Sequence, residues 1–130
     1  AYLVRAGTAT VLTHDHSVVA ALQQRGEITA AEARTHPMRN RLTAVLGAAS
    51  PLITPPFAAV ALQPGDRVVL CSDGLWNMIT EDRLAGIVTG AGAACRAVQT
   101  LIEAANAAGG ADNITAVAVF VPDAPDASAA

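Results

Sequence analysis

Apolar residues fall in short blocks along part of this chain and in stripes three and four apart along the rest. Ala1-Tyr2-Leu3-Val4-Arg5 reads as a strand, Ala6-Gly7-Thr8 as a turn and Ala9-Thr10-Val11-Leu12 as the strand returning beside it, a β-hairpin. No cap and no initiator methionine precede that first strand. A domain seldom starts inside its own sheet, so the numbering is expected to describe a piece of a longer protein.

The pattern then turns helical. Val18, Val19 and Leu22 share one helical face, with Asp15 or Ser17 as N-cap and Gly26 closing the helix. Thr29-Ala30-Ala31-Glu32 has the spacing of a capping box, Ile28 stands where a staple residue would, and Pro37 stops the second helix. These two short helices sit on a polar excursion, which makes residues 15–41 a candidate flap over a site. Residues 52–62 read as a strand broken at Pro55-Pro56.

Leu62-Gln63-Pro64-Gly65-Asp66-Arg67 is a tight turn leading into Arg67-Val68-Val69-Leu70-Cys71, which reads as a buried strand. Asp73 and Gly74 stand where that strand ends. Thr80 is the expected N-cap of a helix whose first turn holds Glu81 and Asp82 and whose buried side is Leu84, Ile87 and Val88. Gly90 and Gly92 end it. A second helix is expected from about Ala93 to Ala107, its apolar stripe Ala94, Val98, Leu101, Ile102 and Ala105, closed by Gly109-Gly110. A last strand follows Asp112-Asn113 and runs to Val121, and residues 122–130 read as a flexible Pro/Ala tail.

Composition narrows the partners. Of the 130 residues 52% are apolar, enough for a packed core, and a net charge of −3 with no lysine argues against nucleic acid or an anionic membrane surface, both of which need dense positive charge. Cys71 and Cys95 lack the spacing of a zinc motif and read as reduced thiols in a cytoplasmic setting. No uninterrupted apolar run approaches the ~18 residues of a membrane span, so a soluble domain without membrane contact is expected from this segment.

The chemistry concentrates on two carboxylates. If the strands around residues 70 and 117 run antiparallel and adjacent, their ends bring Asp73 and Asp112 together, able to share an ion. Hard oxygen ligands with no histidine or thiol beside them suit Mg²⁺ or Mn²⁺. Gly74 would let backbone approach closely, and Asn113 could donate to the Asp112 carboxylate or cap the turn. The plainer reading is two ordinary turns, Asp73-Gly74 and Asp112-Asn113, and spacing alone leaves both readings open. His14, Asp15, His16 and His36 invite a zinc reading, but a closed zinc site needs a ligand set that the chain does not offer at an orthodox spacing. Asp15 and His16 are expected to anchor the flap by local hydrogen bonding.

Several stretches jointly resemble the metal-dependent serine/threonine protein phosphatases of the PP2C family, bacterial branch. Leu12-Thr13-His14-Asp15-His16-Ser17 is similar to the family's leucine, serine or threonine, any residue, aspartate, histidine pattern. Gly26-Glu27-Ile28-Thr29 with Glu32-Ala33 and His36-Pro37 resembles its flap. Arg41-Leu42-Thr43-Ala44-Val45-Leu46-Gly47 matches a family strand, with Ala44 where arginine is common. Pro64-Gly65-Asp66-Arg67 through Cys71-Ser72-Asp73-Gly74-Leu75 and Gly109-Gly110-Ala111-Asp112-Asn113-Ile114-Thr115 resemble its two most recognisable blocks, in the right order and separation. The resemblance covers residues 1–121.

It implies an α+β fold, the αββα sandwich of two antiparallel sheets flanked by helices, here as the C-terminal part of an N-terminally truncated domain. It further implies a binuclear Mg²⁺ or Mn²⁺ centre, with a third, looser ion in some members. Asp73 and Asp112 resemble two of its metal aspartates, with Gly74 and Asn113 supporting. The implied reaction is hydrolysis of phosphoserine and phosphothreonine in proteins by metal-activated water, and the implied partners are phosphorylated protein substrates and a Ser/Thr protein kinase that the phosphatase opposes. The family's first half carries another metal aspartate, a phosphate-binding arginine, a proposed general-acid histidine and central strands. Tyr2-Leu3-Val4-Arg5 resembles the strand just after that half. Activity is therefore expected of the complete protein, with this piece alone inactive. Two alternatives are a catalytically inactive phosphatase-like regulatory or scaffolding domain, and a sporulation-type or sigma-factor-control phosphatase of related fold.

Overall fold

The computed structural model describes residues 1–45, 47 and 59–123. These fall in two compact units, residues 13–58 and the remainder.

In the larger unit the hairpin forms as its sequence suggests. β1 (Tyr2–Arg5) pairs antiparallel with β2 (Thr8–Val11), one residue earlier than the pattern indicated. Ala6 and Gly7 make the connection with φ of 49° and 80°. Positive φ at both central residues matches the twist of the flanking strands, so the loop needs only two residues and Thr8 joins the ladder.

β1 also pairs with β3 (Arg67–Cys71), and β3 with β4 (Ala116–Phe120), giving a four-stranded antiparallel sheet in the order β2-β1-β3-β4. After β3 come a single turn of helix, α3 (Asp73–Trp76), then α4 (Glu81–Gly90) and α5 (Ala94–Ala107). With α1 and α2 below numbered in chain order, this is a mixed α+β fold. α4 packs on β1 and β2, α5 on β4, and the two helices on each other.

Strand alternation sends Tyr2, Val4 and Val69 into a core with Leu84, Val88 and Leu101 from the helices, while Ala116, Ala118 and Phe120 pack against its margin. The α5 stripe is turned slightly from the expected one: Leu101 and Ala105 are buried as anticipated, but Ala97 and Ala104 join them and Ala94, Val98 and Ile102 are only half-buried. β3 is less enclosed than an apolar run suggests. Val69 is fully buried, yet Leu70 is 48% exposed, because the helices of this unit pack on the Val69 side of the sheet; Val117, opposite Leu70, and Val119, opposite Val68, are 54% and 49% exposed. The expected strand over 52–62 lies outside the described residues from 52 to 58, and Ala59–Leu62 form no strand.

Two charged anchors hold the strand ends. Asp66 is buried and takes the Arg5 guanidinium in a bidentate grip, Nε to Oδ1 at 2.8 Å and Nη2 to Oδ2 at 2.6 Å, while the Gln63 backbone N–H donates to Oδ2 at 2.7 Å. These bonds join the end of β1 to the turn before β3 and hold the Asp66 carboxyl down at about 2. Arg67, paired across the sheet with Phe120, lies with its guanidinium carbon 4.6 Å from that ring's centre and donates to the Val88 carbonyl near the end of α4.

In the smaller unit α1 (Val18–Gln24) and α2 (Ala30–Thr35) pack on each other. Ser17, not Asp15, caps α1, its hydroxyl accepting from the Ala20 N–H at 3.2 Å, and Gly26 follows with φ 72°. The capping box of α2 is complete: Thr29 Oγ1 accepts from the Glu32 N–H, and Glu32 Oε2 accepts from the Thr29 N–H at 2.7 Å. Those bonds lower the Glu32 pKa.

Candidate metal centre

The two carboxylates identified from sequence stand at the same end of adjacent strands. β3 and β4 pair from Arg67–Phe120 to Cys71–Ala116, so leaving β3 at Ser72 and entering β4 from Thr115 are events at one edge of the sheet. The pairing continues one step beyond the strands, where the Ser72 N–H donates to the Thr115 carbonyl at 3.0 Å.

Asp73 is not in a plain turn; it opens α3, and its main-chain carbonyl accepts from the Asn77 N–H at 3.0 Å. Asp112 precedes the last strand, which begins at Ala116. It lies in an irregular stretch four residues before β4, after Gly109 and Gly110 with φ of 132° and 52°. Each side chain uses one oxygen locally: Asp73 Oδ1 accepts from the Gly74 N–H at 3.0 Å, and Asp112 Oδ1 from the Asn113 N–H at 2.7 Å. Asn113 thus serves Asp112 through its backbone, not its amide side chain. Both aspartates are exposed, and neither enters an ion pair among the described residues.

Gly74 is where the two segments touch. A Cβ built there would lie 2.3 Å from the Asn113 carbonyl oxygen and 3.3 Å from that of Asp112. Only a residue without a side chain permits that approach. Behind it Leu75 is fully buried in the core, so the backbone bearing Asp73 rests on packed apolar side chains while the carboxylate faces water.

Asp15 and His16, also singled out from sequence, belong to the smaller unit. There the His16 carbonyl accepts from the Thr43 N–H at 2.8 Å beside a Ser17–Leu42 bridge. Neither its side chain nor that of Asp15 makes a hydrogen bond among the described residues, so the anchoring bonds found there are backbone bonds.

This chain is 44% identical over 113 residues to a Streptococcus pyogenes protein described as protein phosphatase 2C-type, an alignment covering 87% of this chain and 46% of the relative. It is 41% identical over 117 residues to protein phosphatase PhpP of Streptococcus pneumoniae, covering 90% and 47%. The serine/threonine phosphatase of S. agalactiae superposes with a TM-score of 0.84 at 38% identity, over 94% of this chain and 50% of that one. The chain belongs to the bacterial PP2C-type serine/threonine phosphatase family. It spans about half the length of the relatives it matches. No protein-family model matches it.

Among related structures, the catalytic domain of the serine/threonine phosphatase PstP is in complex with two manganese ions; it shares 30% identity with a TM-score of 0.75 over 92% of this chain and 49% of that one. The donor set here fits such an ion in kind. Mg²⁺ is commonly held by one or two carboxylates, keeping several waters and meeting substrate phosphate, and Asp73 and Asp112 offer two exposed carboxylates with one oxygen each left over. No group of three or more His, Cys, Asp or Glu residues that could hold a metal occurs among the described residues.

Ser72 escaped the sequence reading. Its hydroxyl donates to the Asn113 carbonyl at 3.1 Å and accepts from the Thr115 N–H at 3.0 Å. The available signal was a serine just before Asp73, which reads equally well as an ordinary N-cap.

Proposed function

We propose that this chain forms the C-terminal half of a PP2C catalytic domain and that the complete protein hydrolyses phosphoserine and phosphothreonine in proteins. The observation that carries the reading is the contact of the Asp73-Gly74 and Asp112-Asn113 backbones at one sheet edge, in a member of this family. Asp73 and Asp112 are its metal ligands from this chain, with Gly74 and Asn113 setting their approach. A bound Mg²⁺ or Mn²⁺ pair supplies a water activated at neutral pH and neutralises charge on the phosphoryl oxygens. The chain's own part is to hold two carboxylates on a rigid edge, open to water.

The αββα sandwich belongs to the same proposal. The face bearing Leu70, Val117 and Val119 is apolar and open, which suits a second sheet packed about 10 Å away. Residues 15–41, with self-capped helices, are assigned to a flap that governs access of phosphoprotein substrates, among them targets of a Ser/Thr kinase. No helix among the described residues is long and apolar enough to cross a membrane, in keeping with a proposed cytoplasmic site of action.

The test uses the full-length protein. Asp73→Asn and Asp112→Asn each keep the side-chain size but remove the charge. Each is expected to lower Mn²⁺-dependent phosphate release from a phosphopeptide by more than about 100-fold, the upper end of what losing an outer-shell partner costs, with circular dichroism unchanged. Turnover close to the parent's in both variants would overturn the assignment.

A further inference from the structure

We propose that Ser72 is a positioning residue of this centre, its hydroxyl fixing the spacing between the backbone that carries Asp73 and the backbone that carries Asp112. The inference rests on the reading of those two aspartates as metal ligands.

A serine hydroxyl has one donor and two acceptor positions. At the N-cap of a helix it ordinarily accepts from the N–H two or three residues on. Ser72 occupies the N-cap of α3 yet makes no side-chain bond to that helix. The Leu75 N–H, which such a cap would take, goes to the Ser72 carbonyl at 3.1 Å. The hydroxyl is thereby released to reach across to the other strand, where it donates to the Asn113 carbonyl and accepts from the Thr115 N–H. With the Ser72 N–H on the Thr115 carbonyl, one residue makes three bonds to the three-residue stretch just after Asp112.

Ile114, half-buried against the core, is the stretch's apolar anchor, and the stretch's polar ties to distant described residues are these bonds. The stretch follows two glycines in left-handed backbone and precedes β4. Among the described residues, the hydrogen bonds from residues 111–115 to distant parts of the chain run to Ser72. The Asn113 carbonyl is also the atom nearest to where a Gly74 side chain would stand. One bond thus sets how closely the two segments approach, and with it the separation of the carboxylates on the residues next to Ser72 and Asn113.

Without the hydroxyl, the Asn113 carbonyl loses its donor and the Thr115 N–H its acceptor, and the backbone next to Asp112 is held across the chain only by the Ser72 N–H bond to Thr115 and by Ile114 packing. The protein for the test is the full-length chain, with Mn²⁺ alone as the probe and binding read by titration calorimetry and by the electron paramagnetic resonance signal of free Mn²⁺. Ser72→Ala is expected to weaken Mn²⁺ binding about 10- to 100-fold, the usual cost of an outer-shell partner. Ser72→Thr keeps the hydroxyl and is expected to restore most of the affinity. Ser72→Cys, with a weak donor and a weak acceptor, should fall between them, and keeps the test readable should the alanine variant unfold. Thr80→Ala, which removes the α4 cap, serves as a stability control: it lowers the melting temperature without moving Mn²⁺ affinity. Parent-like Mn²⁺ affinity in Ser72→Ala or Ser72→Cys, beside its loss in Asp73→Asn, overturns the role of Ser72 and leaves the metal reading standing. Parent-like affinity in both Asp73→Asn and Asp112→Asn overturns the metal reading and this inference with it.

Discussion

At the scale of single residues, Gly74 separates two uses of glycine. Gly7, Gly65 and Gly110 sit at positive φ, where a side chain is strained. Gly74 lies inside a turn of α-helix, where alanine would ordinarily be preferred, and is needed for room. Gly74→Ala in the full-length protein is therefore expected to destabilise by about 1–3 kcal/mol, the usual cost of overpacking, and to lower Mn²⁺-dependent turnover as Asp112 and Asn113 are pushed away. Denaturant midpoints together with phosphate release check it. An alanine variant as stable and active as the parent would mean that the two backbones do not meet in solution.

At the scale of elements, Asp66 ties β1 to the turn before β3, and its effect on stability has a definite sign. Its folded pKa of about 2 lies below the ordinary 3.8 because Arg5 and the Gln63 N–H favour the charged form. The stabilisation is complete above the ordinary value and is lost as pH falls through the window between the two. Asp66→Asn is expected to be less stable than the parent from neutral pH down to about pH 4, with the gap closing toward about pH 2. Urea midpoints across that range, at constant ionic strength, check it, and a gap independent of pH would remove Asp66 as the anchor.

At the scale of the whole molecule, the open sheet face gives one substitution two opposite effects. Val117 is 54% exposed here, yet under the proposed sandwich it faces a second sheet in the full-length protein. Val117→Asp in the 130-residue chain is expected to reduce self-association, since an open apolar face beside strand edges is prone to pair with other chains. In the full-length protein it is expected to lower the melting temperature sharply, because an aspartate buried without a partner is costly. Sedimentation of the short chain and thermal melts of the long one read the two arms. An unchanged melting temperature in the full-length variant would argue against the covered face.

What the sequence determined by itself is local. The Thr29–Glu32 capping box, the Thr80 cap and the ends of α4 and α5 at their glycines are settled within about four residues, so the pattern of residue types carries them, whereas the hairpin was legible but its pattern indicated a connection one residue too long. The two aspartates and the family resemblance were legible as well, since motif blocks are contiguous. The tertiary structure alone decided which bonds cross the chain. Arg5 meets Asp66 across 61 residues, and Ser72 meets Asn113 across 41. It also turned the α5 stripe, left one face of β3 open and diverted the Ser72 hydroxyl from its own helix to the neighbouring strand. A serine before a helix, an arginine ending a strand and a glycine in a helix have the same local preferences whatever lies across the sheet. Only once strand pairing sets the register do those side chains acquire the partners that give the candidate site its geometry.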